Sequence, residues 1–296
     1  MPLLKDLRIA LKTHSLVRAS GPQDYYEFLG DDVVEGENQA FSDPDKALWL
    51  NLGYWKNART YPEAATAMGV LVAEAGALGP QDEVLDVGFG LAEQDFLWVE
   101  RYGVKHIVGL NITPMHVERA RQRVRQRQLE HRIDLRLGSA TEIPFEEASF
   151  DKVTALECAF HFDSRERFFE QAFRVLRPGG KLALADGLPA PGYSPPNFVA
   201  RLLLKRWSIP LANFYDRHEY AERLAAAGFV NIETQSIREY VFPGTSKYRK
   251  MRQAGMSMAD AIVTLSDDEV QRCAGLEEWA PTGLTDYVII RADKPQ

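Results

Sequence analysis

Two glycines, Gly88 and Gly90, follow a short apolar segment at residues 83–87 and form a G-x-G turn. Glycine lets a backbone approach a bound molecule closely, and the helix expected after the turn would present free N–H groups at its N-terminus. The dinucleotide-binding pattern G-x-G-x-x-G needs a third glycine where this chain has Glu93. Because that carboxylate would face a pyrophosphate, the turn favours a nucleoside ligand that has none, and S-adenosylmethionine is the obvious candidate.

Two further side chains could move a proton, His161 and Asp186. A neutral imidazole is a suitable general base near neutral pH. Asp186 could hold that imidazole in one tautomer or bind a substrate hydroxyl directly. From the residues alone, packing between Phe160 and Phe162 is the simpler explanation of His161, and a cap on the next segment is an alternative role for Asp186. The other histidines have no metal-ligand spacing, so no metal site is predicted.

Strand-like and helix-like segments alternate through the middle of the chain, which is typical of parallel strands joined by covering helices. The sequence predicts seven strands, at residues 83–87, 106–110, 133–137, 150–155, 181–185, 231–236 and 287–291. It predicts helices at residues 91–102, 115–128 and 165–176 and in the stretch that ends at Gly228. We therefore expect an α/β fold with a Rossmann-like, doubly wound, seven-stranded sheet. The arginines from Arg119 to Arg127 alternate along one helix and predict a solvated surface.

The rest of the chain falls into three pieces around this sheet. The first is a helical N-terminal cap at residues 1–61, while residues 62–296 form one domain with insertions at about 187–215 and 243–282. Ligands of open parallel sheets bind beyond the carboxyl ends of the strands. Because the first insertion directly follows Asp186, we expect it to form a lid or a pocket wall, with plain extension of the core as the alternative.

The composition is that of a globular protein: 296 residues, 45% of them hydrophobic, with a formal net charge of −7. An acidic balance argues against binding of nucleic acid through its phosphates. Only Cys158 and Cys273 occur, in no C-x-x-C pair, so we expect no disulfide, no thiolate metal site and a reducing cytoplasm. The N-terminus has no signal-peptide pattern, and no stretch approaches the roughly 18 uncharged apolar residues of a membrane helix.

Two motifs resemble those of the class I S-adenosylmethionine-dependent methyltransferases in order and spacing, VLDVGFG at residues 84–90 and RVLRPGG at residues 174–180. Further segments resemble natural-product sugar O-methyltransferases, such as those of the erythromycin and, more distantly, the rebeccamycin pathway. These segments are NLGYW at 51–55, DVGFGLAEQDF at 86–96, IVGLNITPMHV at 107–117, LECAFHF at 156–162 and DYVII at 286–290. The resemblance covers nearly the whole chain. It implies the class I methyltransferase fold, S-adenosylmethionine as cofactor and a small-molecule acceptor.

The resemblance also implies where the cofactor binds. Gly88 and Gly90 would lie under its methionine part, Asp86 would organise the turn, and Tyr54 would close over the cofactor, unless Tyr54 and Trp55 form a core aromatic pair. Asn111 and Ser139 stand where relatives commonly have acidic residues for the ribose and the adenine, so we expect weaker binding. The implied cofactor-binding residues are Tyr54, Asp86, Gly88, Gly90, Gln94, Asn111, Ile112, His116, Ser139, Ala140, Leu156 and Glu157.

The function implied is that of an O-methyltransferase of secondary metabolism, which methylates a hydroxyl of a sugar, macrolide or other polyketide-type scaffold by in-line displacement. The resemblance favours His161 as general base and Asp186 as its catalytic partner. Two alternatives stay open, an N- or C-methyltransferase of a small molecule and a methyltransferase-like binding protein without activity. A nucleic-acid methyltransferase is disfavoured, because LECA at residues 156–159 replaces the N-P-P-[YF] tetrapeptide of adenine N-methyltransferases.

The N-terminal residues 3–18 are basic and amphipathic. They could pack on the core, on a second subunit or on a membrane surface. The sequence therefore leaves open a homo-oligomer, while no integral membrane association is expected.

Overall fold

The computed structural model describes residues 48–296. Most of the predicted N-terminal cap, including the basic segment at residues 3–18, lies outside the described residues. The described end of that cap, residues 48–60, contains no helix, and the helical cap as a whole stays a prediction. The first described helix follows Thr60, whose side chain accepts a hydrogen bond from Glu63 N while Glu63 accepts one from Thr60 N, a capping box.

Strands and helices alternate along the described chain as the sequence predicts. The strands are β1 (Glu83–Val87), β2 (His106–Asn111), β3 (Ile133–Leu137), β4 (Phe150–Leu156), β5 (Leu176–Leu188), β6 (Val230–Ser236) and β7 (Asp286–Asp293). The helices are α1 (Tyr61–Gly76), α2 (Glu93–Tyr102), α3 (Pro114–Gln126), α4 (Arg165–Val175), α5 (Phe198–Arg206), α6 (Arg217–Ala226), α7 (Phe242–Gln253) and α8 (Asp267–Gln271).

These strands form one sheet in the order β3-β2-β1-β4-β5-β7-β6. Strand β1 pairs in parallel with β2 and β4, whereas β7 is antiparallel to both β5 and β6. The chain leaves β1 toward one edge of the sheet and returns at β4 toward the other, so the β1–β4 border is the topological switch point. The structure confirms the predicted doubly wound fold and directs a ligand to the carboxyl ends of β1, β2 and β4.

The central strands are buried on both faces, which is why they are continuous apolar runs. On one face of β1, Val84 belongs to a core cluster with Met68 and Phe96. On the other face, Leu85 belongs to a second cluster with Phe168. Helices therefore cover both sides of the sheet, and the edge where the strands end is left for function.

Strand β5 begins earlier than predicted. The motif RPGG at residues 177–180 is expected to separate helix from strand, but its residues lie within β5. Helix α4 still ends at Val175, and the β4–β5 ladder absorbs the motif by a register shift between Phe150 and Lys152. Gly179 supplies the left-handed φ of 75° that this irregularity contains.

One arginine of α3 contradicts the prediction of a solvated surface. Arg123 is 3% exposed and forms an ion pair with Glu93. Its Nη1 donates to Leu91 O at 3.1 Å, and its guanidinium lies 5.2 Å from the centre of the Phe96 ring. Alternation in the sequence distributes the arginines around the helix, and the face that carries Arg123 packs on α2.

The two predicted insertions contact each other. Trp207 of the first and Trp279 of the second pack edge to face, with ring centroids 5.8 Å apart. A further cluster at the first insertion contains Leu204, Ile209 and Phe214. The insertions are therefore ordered structure with their own apolar contacts, and their role as a lid stays a prediction.

Candidate active site

A cleft with an empty volume of about 950 Å³, including its mouth, opens beyond the carboxyl ends of β1, β2 and β4. It brings together all predicted site residues except Tyr54, Asp86 and Asp186. The predicted residues in its wall are Gly88, Gly90, Gln94, Asn111, Ile112, His116, Ser139, Ala140, Leu156, Glu157 and His161. Among the wall residues that sequence reasoning missed are Leu48, Leu50, Asn51, Phe162 and Asp163.

The glycine turn forms a floor that no side chain interrupts. Gly88 and Gly90 have left-handed φ angles of 72° and 56°. A Cβ on Gly88 would lie 2.5 Å from Cys158 Sγ, and a Cβ on Gly90 would lie 3.2 Å from Leu50 Cδ1. The backbone conformation therefore favours glycine at both positions, and the space at Gly88 also excludes a side chain.

Asp86 lies buried outside the wall and positions a wall residue. Its Oδ2 accepts from Gln94 Nε2 at 2.9 Å, and its Oδ1 accepts from Thr154 Oγ1 at 2.8 Å. Burial raises the pKa of Asp86 to about 7. Burial and the charge of Asp86 together raise the pKa of the neighbouring Asp95 well above its ordinary value. At neutral pH the pair therefore retains a proton, and Asp86 acts on the cleft through Gln94.

The wall at the ends of β2 and β3 is polar but carries no carboxylate. Asn111 Oδ1 accepts from Thr113 N at 3.0 Å, which leaves the Nδ2 donor for the cleft. Ser139 Oγ lies 2.9 Å from Thr141 Oγ1 and accepts from Thr141 N at 3.2 Å. Nearby, burial and the charge of Arg119 lower the pKa of His116 to about 4, so that imidazole is neutral at pH 7.

His161 lies in the wall of the cleft with only 7% of its surface exposed. Its Nδ1 is 3.1 Å from Ser208 O in the first insertion. A carbonyl oxygen only accepts, so this contact is a hydrogen bond in the tautomer that carries its proton on Nδ1, and in that tautomer the lone pair is on Nε2. Burial, helped by the charge of Arg165, lowers the pKa of His161 to about 4. The side chain is therefore neutral at physiological pH and can accept a proton at Nε2.

An NMR titration of His161 is expected to show the Nδ1–H tautomer at neutral pH and a midpoint at about pH 4. Protonation would place a cation in a site that excludes water, so the midpoint lies below the ordinary value of about 6.5. Long-range ¹H–¹⁵N correlation spectra measure both quantities, and His161→Gln assigns the signals. An Nε2–H tautomer or a midpoint near the ordinary value would contradict the arrangement.

Asp186, the predicted partner of His161, lies behind the wall of the cleft. Its carboxylate is fully buried, lies outside the wall of the cleft, and is 3.0 Å from Nε of the equally buried Arg165. It also accepts from Gly187 N at 3.0 Å and Tyr220 OH at 3.3 Å. The hydrogen bond expected to fix the tautomer of His161 comes from the Ser208 carbonyl instead. Asp186 therefore belongs to a buried ion pair, and its catalytic role stays a prediction.

Tyr54 also lies outside the wall of the cleft, and its closure over the cofactor stays a prediction. The Tyr54 ring packs edge to face against Tyr240 at 5.6 Å and is not part of the wall. Trp55 is 1% exposed and donates from Nε1 to Leu52 O at 3.0 Å, as the core alternative requires. The residues just before this pair line the cleft instead; of these, Asn51 belongs to the matched segment NLGYW and could have been found.

Glu157 joins three parts of the molecule at the end of β4. It lines the cleft, and its Oε2 accepts from Leu52 N at 2.8 Å and from Tyr287 OH at 2.6 Å. Burial raises the pKa of Glu157 to about 7 despite these two donors. One oxygen of the Glu157 carboxylate therefore links the end of β4 to the backbone before α1 and to β7.

Comparisons with known proteins agree with this geometry. A family model described as a methyltransferase domain matches residues 85–184. Erythromycin 3''-O-methyltransferase from Saccharopolyspora erythraea is 36% identical over 99% of this chain and 97% of its own length. The chain belongs to the S-adenosylmethionine-dependent methyltransferases. Another member, 27-O-demethylrifamycin SV methyltransferase from Amycolatopsis mediterranei, is 31% identical over 86% of this chain and 94% of its own length.

A solved structure matches the fold of this methyltransferase. A putative sarcosine dimethylglycine methyltransferase from Galdieria sulphuraria superposes with a TM-score of 0.69 over 90% of this chain and 99% of that one. At 22% identity this likeness concerns the fold alone. It confirms the class I arrangement of the sheet.

The cofactor of this methyltransferase is S-adenosylmethionine, and the residues present fit it. The floor of the cleft would be filled by any Cβ on Gly88, and the neighbouring wall at Asn111 and Ser139 supplies neutral donors and acceptors. Within residues 48–296, no group of three or more His, Cys, Asp or Glu side chains could hold a metal ion. A nucleoside without a pyrophosphate suits these hydrogen-bonding groups, as predicted from the glycine turn and Glu93.

Proposed function

We propose that this methyltransferase acts in secondary metabolism and methylates a hydroxyl of a sugar, macrolide or other polyketide-type scaffold, with His161 as general base. The observation that carries the proposal is the neutral imidazole in the wall of the cleft. A hydroxyl needs a base as it attacks, whereas a neutral amine does not. The two relatives named for erythromycin and rifamycin substrates support the class of acceptor.

When bound, S-adenosylmethionine supplies a methyl group activated on a sulfonium. We propose that its methionine part lies over Gly88 and Gly90, its ribose against Asn111, and its adenine between Ile112 and Ser139. The exposed fraction of Ile112, 45%, supports this, because a bound purine would cover that side chain. Gln94, His116, Ala140, Leu156 and Glu157 complete the proposed cofactor site.

Within this proposal, Asn111→Asp is expected to lower the Kd for S-adenosylhomocysteine by about fivefold to tenfold. The aspartate keeps the contact with Thr113 N and adds a charged acceptor for a ribose hydroxyl, and a charged acceptor is worth roughly 1 kcal/mol more than a neutral one. Isothermal titration calorimetry measures the change. Weaker binding by Asn111→Asp would contradict the assignment of the ribose to this strand end, and Ser139→Ala serves as a comparison at the adenine end.

The chain's own part in the reaction is orientation and removal of one proton. His161 Nε2 accepts the hydroxyl proton, while Ser208 O holds the ring through Nδ1. A base with a pKa of about 4 is weak, but the hydroxyl becomes much more acidic as its new bond to carbon forms. Most of the acceleration would come from alignment of the reacting groups, which can supply several kcal/mol, about 7–11 in favourable cases.

The proposal is tested with two hydroxyl acceptors, 3''-O-demethylerythromycin and 27-O-demethylrifamycin SV, together with sarcosine as an amine acceptor. We expect turnover of a macrolide or ansamycin hydroxyl, detected by mass spectrometry, and a methoxy signal in the NMR spectrum of the product. Methylation of sarcosine alone would favour the N-methyltransferase alternative. Binding of S-adenosylhomocysteine with no methylated product from any of the three would favour a binding protein without activity.

The remaining proposals concern the surroundings of the enzyme. We propose a small-molecule acceptor and no nucleic-acid partner, a possible self-association, and a cytoplasmic location. Both cysteines are buried and free, which supports a reducing compartment. In residues 48–296, no helix has the combination of length and apolar character that crossing a membrane requires. Analytical ultracentrifugation of the full chain tests the self-association.

A further inference from the structure

Residues 48–52, here named the strap, form a wall of the cleft opposite the glycine turn. Leu48, Leu50 and Asn51 line the cleft. The Cδ1 of Leu50 lies 3.2 Å from the point where a Cβ on Gly90 would stand. The position of the strap therefore sets the width of the cleft above the glycine turn.

One end of the strap is held by Glu93. Its Oε1 accepts from Leu48 N at 2.7 Å, and the same carboxylate is paired with Arg123. The side chains of Glu93 and Arg123 are only 6% and 4% exposed, so the pair keeps its strength in the absence of solvent screening. Because Glu93 is the first residue of α2, it connects the strap directly to the end of the glycine turn.

The other end of the strap is held by Glu157. Its Oε2 accepts from Leu52 N and from Tyr287 OH, at 2.8 and 2.6 Å. Glu157 adopts a left-handed φ of 54°, a conformation that costs a non-glycine residue free energy and that surrounding contacts must maintain. The two carboxylates thus hold backbone N–H groups at both ends of a five-residue segment.

We propose that Glu93 and Glu157 are positioning residues that clamp the strap and thereby shape the cofactor end of the cleft. This inference rests on the proposed placement of the cofactor in the cleft. The clamp also gives Glu93 a role. This residue stands where the dinucleotide-binding pattern has its third glycine, and its carboxylate accepts from the strap instead. A carboxylate suits the task because hydrogen bonds to a charged acceptor are about twice as strong as neutral ones.

Hydrogen exchange of the full chain without ligand tests the clamp itself. Glu157→Ala and Glu93→Ala are expected to speed exchange at Leu52 and Leu48, respectively, by about tenfold to a hundredfold, since each removes the side-chain oxygen that accepts from that N–H. Exchange in the core peptide at residues 83–87 should stay unchanged. The glutamine variants keep a neutral acceptor and should fall between wild type and alanine, and they serve if an alanine variant does not fold.

The effect on the cofactor is measured as the Kd of S-adenosylhomocysteine by calorimetry. Glu93→Ala is expected to raise it about tenfold, the effect of one lost contact of about 1.4 kcal/mol. Glu157 belongs to the proposed cofactor site, so in this measurement the clamp is tested with the Glu93 variants alone. Leu48→Pro removes the N–H that Glu93 accepts but retains the pair with Arg123, so Glu93→Ala should have a smaller effect in that background. Glu100→Gln, an exposed carboxylate on the same helix, is the matched control and should change neither exchange nor Kd.

Three outcomes would overturn the clamp. The first is an unchanged exchange rate at Leu48 and Leu52 in the alanine variants, and the second is an equal rise of the exchange rate at the strap and at residues 83–87. The third is full additivity of the effects of Glu93→Ala and Leu48→Pro on the Kd. If the wild type fails to bind S-adenosylhomocysteine while strap exchange responds as expected, the placement of the cofactor fails and the clamp stands. The two proposals are therefore tested separately.

Discussion

His161→Gln is expected to lower kcat by about 10²- to 10⁴-fold, the contribution of a general base to proton removal. Glutamine can donate to Ser208 O as the imidazole does, but it has no basic nitrogen. The Kd for S-adenosylhomocysteine should stay within about twofold of wild type. Rates are measured with whichever of the two hydroxyl acceptors the wild type turns over.

A merely structural role for His161 would give a different pattern. If the ring only packs against Phe160, 4.3 Å away, then the loss of kcat would accompany a loss of stability and of cofactor binding. Added imidazole should restore part of the rate in His161→Ala if a base is missing, and it should not restore a damaged fold. A kcat for His161→Gln within twofold of wild type would exclude the histidine as base.

The pH dependence of kcat/KM is expected to follow the protonation of His161. A base acts in its neutral form, and the lowered pKa of His161, about 4, keeps it neutral throughout the physiological range. The rate should therefore fall only as the pH drops toward that value, with no inflection near the ordinary histidine pKa of about 6.5. This is measured as kcat/KM against pH, with circular dichroism at each pH to separate unfolding from titration.

The sheet could be predicted because its signals are local. The strand bounds of β1 and β3 agree residue by residue with the predicted bounds, since a glycine turn follows each of these short segments within one residue. The glycine turn and Asn111 could be placed in the cleft for the same reason, because the turn directly follows β1 and Asn111 is the last residue of β2. Position relative to a strand end is thus enough to find a floor residue.

The partners of buried charges could not be predicted, because they depend on distances across the fold. Arg123 appears in a run of alternating arginines, yet it contacts Glu93 thirty positions earlier in the chain. The wall residues Leu48 and Leu50 are apolar and carry no motif. Their place in the cleft depends on contacts made across the fold, and the two from Glu93 and Glu157 span 45 and 105 positions.

Asp186→Asn is expected to lower the free energy of unfolding by about 3–5 kcal/mol, because it leaves the Arg165 cation buried without its counter-charge. Both side chains are fully buried, and Arg165 also donates to Asn213 O and to Gly187 O, so the guanidinium cannot move into solvent. A loss of this size is a large share of the roughly 5–15 kcal/mol that stabilises a typical domain. Urea unfolding followed by circular dichroism measures it.

Two controls separate the buried pair from charge effects in general. Arg177→Gln breaks an ion pair with Asp151 whose side chains are 41% and 31% exposed, and should cost no more than about 1 kcal/mol. The double variant Arg165→Met with Asp186→Leu removes both buried charges and should recover part of the loss. If Asp186→Asn instead abolishes turnover while its unfolding curve matches the wild type, then Asp186 acts in catalysis, as the sequence alone predicted. The unfolding curve therefore decides between a carboxylate that holds the first insertion against the sheet through Arg165 and one that serves the reaction.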